Sequence, residues 1–193
     1  MADDPVLHVV AGPNGAGKTT FYDRVLFPRT HLPFVNADLI AAEHWPNDAA
    51  TNAYEAAELA EQARDQLVAG RHSFVAETVF SHPSKVDFVQ RAHDAGYHVT
   101  LHVLSVPEEG AVARVADRVA NEAGHDVPED KIRSRYRRLW ELVAAAIAIA
   151  DTSYVYDNSS SERAFRRIAT YVNGDLVGDA DWPAWIPSAL RGS

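Results

Sequence analysis

The sequence predicts an α/β fold, a mostly parallel five-stranded sheet with helices on both faces, and three observations predict it. Short apolar, β-branched runs alternate with longer stretches of helical period along the chain. A glycine-rich turn joins the first run directly to the first helical stretch. No repeat, long linker or low-complexity segment breaks the alternation, so residues 1–193 read as one domain. Its core would span about 6–159, with a tail over 160–193 packed on it.

The first strand is expected at 6–11, Val-Leu-His-Val-Val-Ala, a run of the kind that is buried in parallel sheets. Further strands are expected at 34–36, 73–78, 98–106 and 153–156, each β-branched or aromatic. Helices are expected at 19–26, at 38–45 and at 52–69, the last rich in Ala, Glu and Leu and ended by Gly70. Another over 84–95 stops at Gly96, a residue suited to a helix C-terminus. Two more, over 108–123 and 129–150, flank Gly124-His125-Asp126-Val127-Pro128. There Pro128 suits a first helical turn, and Glu129 and Asp130 favour its dipole. The tail, with Trp182 and Trp185 among prolines, is expected to fold back on the domain, and the sequence gives it no chemistry.

Composition limits the function. The 47% hydrophobic fraction is ordinary for a globular chain, and a net charge of −9 argues against nucleic acid or anionic lipid as partner. Any phosphate site must therefore be local. The absence of cysteine excludes disulfides and thiolate metal sites and fits the cytoplasm. The acidic start and the short apolar run 6–11 resemble neither a signal peptide nor a membrane span. The histidines, His8, His72, His98, His102 and His125 among them, lack ligand spacing and read as structural or surface residues.

The decisive motif is Gly12-Pro13-Asn14-Gly15-Ala16-Gly17-Lys18-Thr19, which matches Walker A at every required position and continues into Thr20 and a helix. Its glycines let the backbone curl around a phosphate with N–H groups inward, and the helix N-terminus adds a favourable dipole. Lys18 would reach the β- and γ-phosphates, and the Thr19 hydroxyl would bind Mg²⁺. A plain glycine-rich turn would require neither the Lys-Thr pair nor this spacing. No Asn-Lys-x-Asp guanine reader, ABC-type signature or strand ending in Asp-Glu accompanies the motif, which leaves the small-molecule kinases.

Such a kinase needs a base and mobile arginines. Asp38, at the junction of the second strand and its helix, should face the cleft. It reads equally as the helix N-cap, a place Asn36 could also take. Glu77, with Thr78, closes an apolar strand, where a carboxylate is costly unless something polar meets it. It would accept a substrate hydroxyl, support the Mg²⁺ shell or lie at a surface strand end. Arg114 and Arg118 share a helix face, and Arg133, Arg135, Arg137 and Arg138 crowd the next helix. The two helices could close as a lid that brings guanidinium groups to the phosphates, with Arg137 or Arg138 merely exposed.

Taken together, residues 11–20, Asn36-Ala37-Asp38, Glu77-Thr78, Arg114-Val115-Ala116-Asp117-Arg118, the Gly124–Pro128 turn, Ile132-Arg133-Ser134-Arg135-Tyr136 and Tyr156-Asp157-Asn158-Ser159 resemble the zeta-toxin family of P-loop kinases. The resemblance runs from about Val6 to Ser159. It implies a three-layer P-loop NTPase fold with strand order 2-3-1-4-5 and an arginine-bearing helical lid. It also implies ATP- or GTP-dependent phosphorylation of a sugar hydroxyl, typically the 3′-hydroxyl of UDP-N-acetylglucosamine. The family's base falls on Asp38, its substrate contacts on Glu77 and Thr78, and its lid arginines on Arg118 and on Arg135 or Arg133. In a toxin–antitoxin system an antitoxin protein would block the nucleotide site. After Glu77 the chain departs from the family: Val79, Phe80, Ser81 and His82 stand where many zeta toxins carry a basic residue. This points to a different acceptor pocket. A kinase of another small metabolite or nucleotide, or a nucleotide-dependent binding switch, are the other readings of the same motif.

Overall fold

A computed structural model of the chain describes residues 4–122 and 127–191. The order of elements begins β1 (Val6–Ala11), α1 (Lys18–Phe21), a π-helical turn (Tyr22–Leu26) and α2 (Phe27–Thr30). It continues with β2 (Phe34–Val35), α3 (Ala37–His44), α4 (Ala53–Ala69), β3 (Phe74–Thr78), α5 (Ser84–Asp94) and β4 (His98–Ser105). Then come α6 (Glu108–Glu122), α7 (Glu129–Ile147), β5 (Thr152–Asp157), β6 (Arg166–Val172) and β7 (Asp175–Leu176). A 3₁₀ turn at Ser188–Leu190 completes the chain. The first helical stretch is longer than 19–26 and not uniform. Pro28 brings no N–H for the carbonyl one turn back, and the wider π turn precedes it.

The sheet has seven strands in the order β2-β3-β1-β4-β5-β6-β7, a correction to the five expected. The first five are parallel and follow the order that the resemblance implies. The added pair is antiparallel and comes from the tail. Asn173 and Gly174 both have positive φ (50° and 83°) and join β6 to β7, the conformation of a type I′ hairpin turn. The tail also carries Ile186 and Leu190 into the main core, with Trp182 and Trp185 packed at its edge.

Leu7, Val9, Val10 and Ala11 on β1 and Leu101, Val103 and Leu104 on β4 are fully buried. Each large apolar side chain so placed contributes about 1.5–3 kcal/mol. Helices flank the sheet. α7 packs on α5 and α6, and α5 and α7 pack on β4, while Phe21 of α1 lies against His102 and Tyr156. The ring nitrogens His8 Nδ1 and His102 Nε2 are 3.1 Å apart. Burial pushes their pKa values down to about 4 and about 3, so the pair is neutral and part of the packing. Gly124, His125 and Asp126, the expected lid turn, lie outside the described residues.

Candidate active site

Parallel strands deliver their C-terminal ends to one edge of the sheet, and three of these ends build the site. β1 leads into the phosphate loop, β2 into Asn36 and β3 into Glu77 and Thr78. The β1–β3 register sets Glu77 beside Val10 and Thr78 beside Ala11, directly under the loop. Gly15 holds φ +76°, and a Cβ there would stand 2.6 Å from the Ala111 carbonyl oxygen, so the loop fits against α6 only with glycine. From the other side Asn158 Nδ2 donates to the Ala16 carbonyl at 2.8 Å, and its Oδ1 accepts from Phe165 N–H at 3.2 Å. Asn158 thus braces the loop from the end of β5. Gly12, Pro13 and Ala16 are buried beneath it.

Glu77 is the electrostatic centre. Its side chain is only 10% exposed, and its Oε2 accepts from Thr19 Oγ1 at 3.0 Å and from Asn36 Nδ2 at 2.7 Å. Lys18 Nζ lies 3.6 Å from Oε1 and donates to the Pro13 carbonyl at 3.1 Å. A carboxylate removed from water needs such partners, and Lys18, Thr19 and Asn36 are tied to Glu77 by supplying them. Asn36 also settles the choice of cap. Its Oδ1 accepts from the N–H groups of Asp38 and Leu39 at 2.7 and 3.2 Å, which makes Asn36 the N-cap of α3. Asp38, inside the first turn, lines the cleft.

Two adjoining cavities open here. The loop cavity, of about 610 Å³, is lined by Gly15, Gly17, Lys18, Thr19 and Thr20, with Arg114 and Asp117 from α6. The other, of about 380 Å³, is walled by alanines of α3 and α4 and by Thr78–His82, with Lys131 and Arg135 from α7. Asn14, Asn36, Asp38, Glu77, Val79 and Arg118 line both. Arg118 Nε and Asn14 Oδ1 are buried there without a hydrogen-bond partner among the described residues. In an interior, unpaired donors and acceptors of this kind mark a place for a polar ligand.

The arginines separate by position. Arg118 lies at the junction, Arg135 in the alanine-walled cavity and Arg114 in the loop cavity, where its guanidinium donates to the Gly15 and Ser159 carbonyls at 3.5 and 3.4 Å. Arg133 lines neither. It binds Glu109 through both terminal nitrogens at 2.6 and 2.9 Å and Glu129 at 2.8 Å, strapping α6 to α7. Arg137 stands 3.6 Å from Glu108 and Arg138 turns back on the Ser134 carbonyl, so neither reaches the cleft. Sequence reasoning passed over Arg64, Lys85 and Lys131, all in the wall of the second cavity, where His82 also lies. For Arg64 a signal existed: it continues the stripe Ala53, Ala57, Ala60 at helical spacing.

Fold and loop together define a P-loop kinase domain. Residues 7–143 match the AAA domain family, and the chain belongs to it. No curated protein is significantly similar in sequence. Among solved structures, a chain of the AvrRxo1-ORF1:AvrRxo1-ORF2 complex with sulphate ions is similar at TM-score 0.70 and 18% identity, over 91% of this chain and 61% of that one. The same complex with ATP gives 0.69 and 18%, over 91% and 61%. The present chain thus spans about three-fifths of the length of those it resembles. A chain of the PezAT chromosomal toxin–antitoxin system of Streptococcus pneumoniae is similar at 0.63 and 14% identity, over 88% and 72%. No helix among the described residues is long and apolar enough to cross a membrane.

Proposed function

We propose that the chain transfers the γ-phosphate of ATP or GTP to an alcohol group of a small molecule, with the nucleotide in the loop cavity and the acceptor in the alanine-walled one. The observation that carries this reading is the junction: a carboxylate, Asp38, and a guanidinium, Arg118, stand where the phosphate-loop cavity meets a second pocket. A hydrolase or a binding switch needs only the first of these cavities.

In this reading Lys18 and the backbone N–H groups of residues 12–20 hold the β- and γ-phosphates. The hard oxygens of Thr19 and Glu77, 3.0 Å apart, are a donor set that suits Mg²⁺ and would hold it. Bound there, the ion would neutralise charge on the phosphates. The acceptor hydroxyl oxygen forms a bond to the γ-phosphorus as the bond to the β–γ bridging oxygen breaks, and the hydroxyl proton passes to Asp38. A carboxylate is a weak base, so Asp38 chiefly orients the hydroxyl and takes the proton late. Arg118 and Arg135 stabilise the equatorial oxygens in flight. Glu77 and Thr78 complete the acceptor contacts.

The resemblance to zeta toxins favours a nucleotide sugar as acceptor, with the 3′-hydroxyl of UDP-N-acetylglucosamine the first compound to test. The solved AvrRxo1 complex with ATP and the PezAT system, similar in fold, support ATP as donor and an antitoxin as protein partner, and the lack of cysteine fits action in the cytoplasm. The test is incubation with ATP and Mg²⁺ in a small-molecule extract, followed by mass spectrometry. A metabolite heavier by one phosphoryl group, absent with the Lys18→Ala protein, is the expected result. ADP formed with no phosphorylated metabolite would overturn the reading.

A further inference from the structure

The alanine-walled cavity carries charge that the transfer chemistry does not use. Arg64 ends the stripe Ala53, Ala57, Ala60 on α4, so three methyl groups lead to a guanidinium. That residue is only 6% exposed and lies over the Phe88 ring at 5.4 Å. Among the described residues it makes no hydrogen bond and no ion pair. Its acidic neighbours on α4, Glu61 and Asp65, act on it only at longer range, and Asp65 is engaged by Arg91 at 3.2 Å. Lys85, in the first turn of α5, lines the same cavity, and its ammonium likewise has no partner among the described residues. Neither cation lines the loop cavity, so both lie off the junction at Asp38.

A buried guanidinium and a half-buried ammonium that carboxylates, Glu61 foremost, reach only at longer range are costly, and costlier near each other. Burial holds both below their ordinary pKa ranges, and for Lys85 the charge of Arg64 is the next cause. A guanidinium fork beside a point-like ammonium, at the end of an apolar wall, suits a phosphate: two parallel N–H contacts and a third from the side. We propose that Arg64 and Lys85 form an anion subsite, and that the acceptor bears a phosphate held there while its hydroxyl is presented at Asp38. The carbon skeleton between the two ends would lie on the alanines. The hydroxyl end rests on the kinase reading; the subsite does not.

The test separates the two. The full chain is saturated with a non-hydrolysable ATP analogue and Mg²⁺ to fill the loop cavity, then titrated calorimetrically with inorganic phosphate and, at matched ionic strength, with acetate. Saturable phosphate binding is expected, weakened roughly tenfold or more in Lys85→Gln, the scale of one charge-assisted contact. Near-ultraviolet circular dichroism checks that the variant is folded, and Arg64→Lys, which keeps charge but not the fork, should fall between the two. No phosphate binding to the nucleotide-filled protein, equal binding in folded Lys85→Gln, or acetate bound as tightly as phosphate would overturn the proposal. Phosphate bound and lost in Lys85→Gln, with no acceptor ever phosphorylated, keeps the subsite and removes the kinase reading. Transfer to an uncharged acceptor at a rate that Lys85→Gln leaves alone keeps the kinase and removes the subsite.

Discussion

The loop cavity and the alanine-walled cavity share six lining residues and differ in how their charges are met. In the first, Lys18, Thr19, Asn36 and Glu77 satisfy one another at 2.7–3.6 Å, a closed set built on strand ends fixed by the sheet register. In the second, Arg64 and Lys85 stand on two helices without a hydrogen bond or ion pair among the described residues, with the alanines of α3 and α4 in the same wall. A preorganised set can recognise the same triphosphate group in many proteins, because the ligand's charge is fixed. An open set takes its meaning from a ligand that differs from one protein to the next. In the function proposed, the donor side is therefore general chemistry and the acceptor side is where specificity resides.

Substitutions can break or sharpen this contrast. The largest effect is expected on the closed side: Lys18→Ala should abolish phosphoryl transfer and severely weaken triphosphate binding. The fold should persist, since Glu77 keeps Thr19 and Asn36 as partners. Calorimetry with ATP alongside a transfer assay checks this, and a folded variant with normal activity would remove the phosphate loop from the account. At the junction, Arg118→Ala should lower turnover by about 10²–10³-fold while weakening nucleotide binding much less, because its charge acts on the phosphoryl group between oxygens. Equal losses in kcat and affinity would make Arg118 a ground-state contact. A silent Arg118 with a sensitive Arg114 would move the role into the loop cavity. The smallest effect is expected from Arg133→Gln, which should leave turnover within about twofold, since exposed ion pairs contribute little. A large loss of kcat there would mean that the α6–α7 strap governs closure.

The same contrast explains what the sequence made legible. The phosphate loop is eight contiguous residues whose chemistry is local, and the strands around it are apolar runs, so five strands could be read, while their order came from the resemblance. Asn36 and Asp38 were found as a pair, but which one caps α3 depends on side-chain rotation, which spacing alone does not fix. Arg133 and Arg135 differ by two positions on α7 and so point in different directions. Only the placement of Glu109 and Glu129 shows which one is occupied outside the cleft. The helical part of the acceptor wall, with Arg64, Lys85 and Lys131, was missed because it assembles from α4, α5 and α7, far apart in sequence. Its sequence signal, one arginine continuing an alanine stripe, is also what a solvated helix face looks like. The sixth and seventh strands did carry a signal in Asn173-Gly174, but Arg166 and Arg167 and the exposed Val172 and Leu176 blur the alternation that marks a strand.

The central claim, that two substrates meet at Asp38, is tested most directly by following γ-labelled ATP in the wild type and in Asp38→Asn side by side. Asn36 already caps α3, so asparagine at position 38 removes a charge while leaving the cap and the side-chain shape in place. With an accepted acceptor present, label should move to the small molecule in the wild type. In the variant the transfer should be slower by roughly 10²-fold or more, with ATP affinity nearly unchanged. Near-normal transfer by a folded Asp38→Asn protein would contradict the account and shift the base to Glu77, the other carboxylate at the junction.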